Sequence, residues 1–248
     1  MQRAPRLSAE PTTSPRTDSS RYLFVALGTV CIAVALVGFA PHLYASLKGQ
    51  LFIPKVVHVH GAIMLGWIVL YTVQAGLAAH GNLARHRTLG WASAGFATVV
   101  WISMGVAVLG SLRRFDPDEF GFIVKPLLIE LGTMVVFPVF VAGAVLARAQ
   151  AGWHKRLMTF ATLVLIQSAL DRMQWLPDEG LPMFWHYGLR LYVLMVPLFA
   201  FDLVTLRRIH PATLVGSAVV VAMHGVVSFF WEHEGWNRLA RSFWILLR

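Results

Sequence analysis

The 248-residue chain is poor in charge, with 13% of its residues Asp, Glu, Lys or Arg, and it has one cysteine. Low charge argues against a soluble domain, which typically carries about 25% charged residues. A lone cysteine, Cys31, excludes an intrachain disulfide and any multi-cysteine zinc or iron–sulfur site. The chain has neither a glycine-rich phosphate loop nor a dinucleotide fingerprint, which argues against a nucleotide-driven machine. It also lacks an HExxH run and the multi-histidine boxes of membrane di-iron enzymes. The last long apolar segment contains no lysine, so a retinal Schiff base is excluded.

What the chain does have is apolar length. Hydrophobic residues make up 57% of it, and its mean hydropathy is +0.63. Apolar stretches of roughly 18 or more residues read as bilayer spans. Seven are predicted, at about 22–47, 56–79, 88–112, 122–148, 155–173, 184–205 and 211–231. The expected fold is all-α: an integral membrane bundle over residues 22–231, preceded by a disordered cytoplasmic tail at 1–21 that is rich in Arg, Pro, Ser and Thr. The run after Arg21 is too long for a signal-peptide core and lacks a small-x-small cleavage site, so it is expected to stay as the first helix.

Residues 232–248 differ in kind. Trp236, Leu239, Ala240, Phe243, Trp244 and Leu247 recur at helical spacing, with Arg238, Arg241 and Arg248 on the other face. This describes an amphipathic helix lying in the membrane surface, with a partner-binding helix as the alternative. Pro54, Pro126, Pro182 and Pro211 are expected near helix starts. Trp91, Trp153, Trp175, Trp185 and Trp231 are expected to form an interfacial belt. The run Ala92-Ser93-Ala94-Gly95 is expected to let helix backbones approach closely.

The formal net charge of +9 comes from basic residues that flank apolar segments. They fit anionic lipid head groups and not nucleic acid. More Lys and Arg fall on the side of the N-terminal tail, including Arg85, Arg87, Arg148, Lys155, Arg156, Arg207 and Arg208. That bias predicts a cytoplasmic N-terminus. The acidic loop Asp116-Pro117-Asp118-Glu119 is expected to be solvated.

The ten histidines carry the chemistry. Counting depth at about 1.5 Å per residue puts His60, His42, Gln167, Arg190, His224 and Glu130 roughly 6 to 12 Å inside the external ends of six helices. His58, Asp171 and His186 fall just above that layer. Ionisable groups at such depth face the bundle interior or a wet cavity. One reading is structural, with Glu130 paired to Arg190 and histidines bonded across helices. A second is a b-type haem ligated by His60 and His224, with His186 or His42 as substitutes and Arg190 at a propionate. His58 and His60 lie about 200° apart around a helix, so they do not face one iron together. A third is a non-haem zinc, iron or copper ion on His42, His60, His224 and Glu130.

A second set lies at the cytoplasmic ends. Arg85-His86-Arg87-Thr88-Leu89 is expected before the third helix, and His154-Lys155-Arg156-Leu157-Met158 at the start of the fifth. The two segments are alike and suggest a repeat of helix pairs. A histidine at a helix N-terminus is favoured neutral, as an iron ligand or proton donor must be. Basic residues there also hold phosphate head groups, which is the alternative for His86, His154 and His210. His80 reads as a helix-end residue beside Gly81.

The segments HVHG at 58–61, Gln74, RHRTLGW at 85–91 and HKRLM at 154–158 resemble those of uncharacterised bacterial multi-pass membrane proteins, over residues 22–215. The resemblance implies a bacterial cytoplasmic-membrane location. A looser one, in histidines placed on helix ends, is to transmembrane b-type cytochromes and to membrane proteins of cytochrome oxidase assembly. It implies haem b and electron transfer, with a quinone or a respiratory complex as partner. The other expectations are a transporter or proton pathway using a Glu/Arg/His relay, and an accessory protein of a respiratory complex.

Overall fold

The computed structural model describes residues 22–113, 120–173, 175 and 180–247. The expected tail 1–21 and the acidic loop 116–119 lie outside them. Among the described residues the helices are α1 (Leu23–Leu47), α2 (Lys55–Ala79), α3 (Leu83–Leu112), α4 (Phe120–Leu146), α5 (Ala151–Leu165), α6 (Gln167–Leu170), α7 (Met183–Leu206), α8 (Pro211–Phe230) and α9 (Glu234–Leu247).

Six of them, α1, α2, α3, α4, α7 and α8, are long and apolar enough to cross a membrane. The chain is therefore built as a multi-pass membrane protein. The segment expected as the fifth span does not form one long helix. α5 has 15 residues, about 22 Å at 1.5 Å per residue, against a hydrocarbon core of about 30 Å. The chain then breaks at Ile166 and resumes as the four residues of α6. α5 is instead the axis of the bundle. Leu157, Phe160, Ala161, Leu163 and Val164 are buried, and the helix packs against α1, α2, α4, α7 and α8. A helix enclosed on every side meets protein where a span would meet lipid.

Helix ends follow local chemistry. Pro54 and Pro182 cap α2 and α7, and α8 begins with Pro211 at its first position. Pro126 lies inside α4, because that helix starts earlier than expected. α3 likewise begins at Leu83, so Arg85, His86 and Arg87 lie in its first turns and not ahead of it. α1 and α2 stop at Gly49 and Gly81, whose positive φ angles of 70° and 75° a glycine adopts without a Cβ clash.

In the run Ala92-Ser93-Ala94-Gly95, Ser93 accepts from Gln74 of α2 at 3.1 Å, but the tightest backbone approaches lie elsewhere. A Cβ on Gly95 would meet nothing within 4 Å, whereas one on Gly216 would fall 2.2 Å from the Phe160 ring and one on Gly38 2.3 Å from the Ala169 carbonyl oxygen. The expected tryptophan belt is partial. Trp91, Trp175 and Trp185 are exposed, but Trp231 is buried, its ring 4.9 Å from that of Tyr187 and tilted 48° to it. α9 follows α8 and lays Ala240 and Trp244 against Val108, Leu112, Val124 and Leu127 of α3 and α4. Trp236 Nε1 donates to the Val124 carbonyl at 2.9 Å. Leu239, Phe243, Ile245 and Leu246 remain exposed.

Candidate functional site

At the end of the bundle that carries α9, a cavity of about 360 Å³ opens between the helices. Its polar lining is His42 from α1, His60 from α2, Glu130 and Thr133 from α4, and Gln167, Ser168, Asp171 and Arg172 from α6 and the residues after it. Met64, Met104, Met134, Ile129, Val164 and Leu165 supply the apolar wall. Four residues expected in one layer, His42, His60, Glu130 and Gln167, thus meet in a single space. Asp171 and Arg172 join them.

Hydrogen bonds fix several protons here. Ser103 Oγ donates to the Val100 carbonyl at 2.7 Å and lies 3.1 Å from His60 Nδ1. The serine has one hydroxyl hydrogen, and the carbonyl takes it. His60 Nδ1–H is then the donor to Ser103, and the lone pair remains on Nε2. Gln167 Nε2 donates to Asp171 Oδ1 at 2.6 Å and to the Tyr187 carbonyl at 2.8 Å. Gln167 Oε1 and His42 Nδ1 are buried without a partner. Arg172 donates Nη1 to the Ser168 carbonyl and hydroxyl at 2.6 and 2.7 Å and lies 4.6 Å over the Phe39 ring. The charges of Asp171 and Glu130 both act on it.

The other expected residues point elsewhere. His224 is 2% exposed; its Nδ1 lies 2.9 Å from Tyr192 Oη and its Nε2 is buried without a partner. It does not line the cavity, so His60 and His224 face no common space there. α5 packs against both of their helices. Arg190 donates Nη1 to the Leu170 carbonyl at 2.9 Å, and the charge of Arg172 acts on Glu130. The His186 ring packs edge-on against Tyr187 at 5.0 Å. His58 is exposed.

A second polar cluster holds the opposite end. The Arg156 guanidinium is ion-paired with Asp202, at 2% and 0% side-chain exposure. Arg156 Nε donates to Asp202 Oδ1 and to Thr213 Oγ1, both at 3.1 Å, and Nη1 to the Gly152 carbonyl at 2.9 Å. Asp202 Oδ2 accepts from the His210 backbone N–H at 3.0 Å and from the Thr213 hydroxyl at 2.6 Å. His210 Nδ1 accepts from the Ala212 N–H at 3.0 Å and caps α8. Burial first, then the charge of Arg156, hold the His210 pKa below its usual 6.5, against the opposing pull of Asp202. Asp202 was not among the residues expected to matter. A lone carboxylate close to the end of an apolar span was the available signal.

His86 and His154 meet beside this cluster. His86 Nδ1 bonds the Gln74 carbonyl of α2 at 3.2 Å, and His154 Nδ1 bonds the Ala144 carbonyl of α4 at 2.8 Å. The two alike segments therefore do the same job: a histidine in the first turn of a helix ties it to the helix before. Between the two ends, α5 presents Thr159 to Tyr71 Oη at 2.7 Å and Thr162 to Trp67 Nε1 at 3.2 Å.

Comparison of the chain with family models, with curated proteins and with solved structures finds no match. The chemistry must be argued from the site. No group of three or more His, Cys, Asp or Glu converges among the described residues in a way that would hold a metal ion. The cavity instead combines two carboxylates, one guanidinium and neutral nitrogen and oxygen acceptors. Such a set can take up and release protons and can hold a small polar molecule.

Proposed function

We propose that the chain is a proton-coupled transporter of a bacterial cytoplasmic membrane, with a cytoplasmic N-terminus and the α9-end cavity as its external binding site. The observation that carries this proposal is the broken helix α5–α6. Its interruption at Ile166 directly precedes Gln167, Ser168, Asp171 and Arg172, which line the cavity. Discontinuous helices at the binding site are a recurrent device of secondary transporters. α5 and α6 act here as an internal segment between the spans, in place of a seventh uninterrupted crossing. α9 lies at the membrane surface on the external side.

The column along α5 is not a fixed proton wire. Trp67 Nε1–H can donate but not accept, and the buried Val164, Leu165 and Ile166 follow Thr162 on the way to Gln167. Passage across the bundle therefore needs the α5–α6 break to move. Glu130 and Asp171 serve as proton acceptors, with His60 Nε2 as a third, and Arg172 balances their charge.

Reconstitution into liposomes tests the proposal. An imposed pH gradient should drive proton flux through the wild-type chain, and Glu130→Gln or Asp171→Asn should abolish it. Flux no greater than in protein-free liposomes, or flux unaltered in both variants, rejects it. A haem band in a reduced-minus-oxidised spectrum of the same preparation would favour electron transfer instead.

A further inference from the structure

The opposite end of the bundle has a pair of imidazoles that the transport proposal does not use. His86 in the first turn of α3 and His154 in the first turn of α5 face each other with ring centroids 6.0 Å apart and planes at 88°. Each Nδ1 contacts a backbone carbonyl oxygen, of Gln74 and of Ala144. A carbonyl only accepts, so each ring carries a hydrogen on Nδ1, which in the neutral tautomer leaves the lone pair on Nε2. Among the described residues neither Nε2 has a hydrogen-bond partner. Both histidines are half-buried, so the pair is held by the fold and still open to a small ion.

This is the arrangement metal-binding histidines use. The nitrogen away from the ion donates to a carbonyl, which fixes the ring and makes the free nitrogen more basic. The spacing agrees. An imidazole nitrogen sits about 1 Å from its ring centre and metal–nitrogen bonds are about 2 Å, so an ion shared by two imidazoles holds their centroids about 5 to 6 Å apart.

A third group belongs to the same cluster. Gln74 is 9% exposed; its Nε2 donates to Ser93 Oγ at 3.1 Å, and its Oε1 is buried with no partner. Its main-chain carbonyl is the one that orients His86. Of the nearby cations, Arg156 is engaged by Asp202 and the Lys155 ammonium lies over the Phe24 and Phe201 rings at 4.7 and 4.9 Å, while the charge of Arg87 acts on His86.

We propose that His86 and His154 bind one late first-row transition-metal ion, copper or zinc, through their Nε2 atoms at this end of the bundle. Two neutral imidazoles leave coordination positions for water or an incoming ligand, which marks an exchangeable site and not a structural one. Imidazole suits both ions, and copper binds more tightly than zinc in the usual order of divalent affinities.

The experiment uses the purified full chain in detergent, with Zn²⁺ and Cu²⁺ titrated separately in competition with a chromophoric chelator. One ion per chain is expected. His86→Asn and His154→Asn are the informative variants, because the asparagine amide can still donate to the carbonyl while no Nε2 remains. Each should keep the wild-type unfolding temperature and lower affinity by more than the roughly 10- to 100-fold that loss of an outer partner costs. His60→Asn and Glu130→Gln, in the cavity at the other end, should leave affinity unchanged. No bound ion in the wild type, or unchanged affinity in both asparagine variants, overturns the site. Absence of proton flux with the ion still bound would sink the transport proposal and leave this one intact.

Discussion

Arg156 and Asp202 form an ion pair from which water is excluded, tying the first turns of α5 to the last turns of α7. Thr213 bridges the pair by accepting from Arg156 Nε and donating to Asp202 Oδ2. Every oxygen of the carboxylate is thus satisfied from α5, from α8 or from the His210 backbone. Leaving one charge of such a pair without its partner costs about 3–5 kcal/mol, because the survivor is stranded in a low dielectric. Asp202→Asn should therefore destabilise the bundle severely. Joint replacement by Arg156→Met and Asp202→Leu should cost less than either single change, since no charge is stranded. Thermal unfolding of the wild type, Asp202→Asn, Arg156→Met, Asp202→Leu and the double variant in one detergent checks this, and a double variant worse than both of its singles refutes it.

His210 links that pair to pH. Its Nδ1 accepts the Ala212 N–H, so the cap exists only while the ring is neutral. Burial, then Arg156, with smaller contributions from Lys155 and Arg208, lower its pKa in the folded chain, and Asp202 opposes them. A histidine with a depressed folded pKa contributes stability above its unfolded value of about 6.5, and that contribution is lost as the pH falls below it. The wild type should lose unfolding temperature between pH 7.5 and the acid side of 6.5. His210→Ser keeps a capping oxygen without a titrating ring, so it should lack this increment. His210→Ala should lose a cap worth about 1 kcal/mol at neutral pH. Parallel pH profiles for wild type and serine variant would contradict the linkage.

Much of this was legible in the residues. The limits of α1, α2, α7 and α8 fall within about one residue of those expected from uninterrupted apolar runs. Hydropathy could not show that the fifth apolar segment is broken into α5 and α6 and enclosed by the other helices, because a segment enclosed by protein is as apolar as one enclosed by lipid. Nor does a proline or glycine announce the break at Ile166. Counting depth correctly grouped His42, His60, Glu130 and Gln167, yet it placed Arg190 and His224 at the same height although neither lines the cavity. Depth gives height along a helix and not rotation about it. Arg156 reads in the sequence as one of several boundary cations.

The glycine positions make a contrast that needs no functional assay. A methyl at Gly216 would overlap Phe160, which is 0% exposed, and one at Gly38 would overlap a backbone oxygen of α6. Neither neighbour has room to yield. Gly216→Ala and Gly38→Ala should each destabilise by about 1–3 kcal/mol, the usual cost of overpacking. Gly95→Ala meets open space and gains helix propensity of up to about 1 kcal/mol. Opposite shifts in unfolding temperature are expected, and equal losses at all three positions would show that the contacts around α5 are misplaced.

Arg207 ends α7 in a conformation that suits glycine. It is the one non-glycine residue with positive φ among the described residues, at 57°, and its N–H bonds the Leu203 carbonyl at 3.1 Å. α1 and α2 reach the same geometry with Gly49 and Gly81 and avoid the clash between Cβ and the following carbonyl. For an L-residue that clash costs roughly 1–2 kcal/mol. The side chain is exposed, so little packing is lost by removing it. Arg207→Gly should raise the unfolding temperature, offset in part by the greater freedom of glycine in the unfolded chain. The same change at Arg208, one residue beyond this cap, should give no such gain. A loss of stability in Arg207→Gly would mean that the side chain makes a contact strong enough to outweigh the backbone strain.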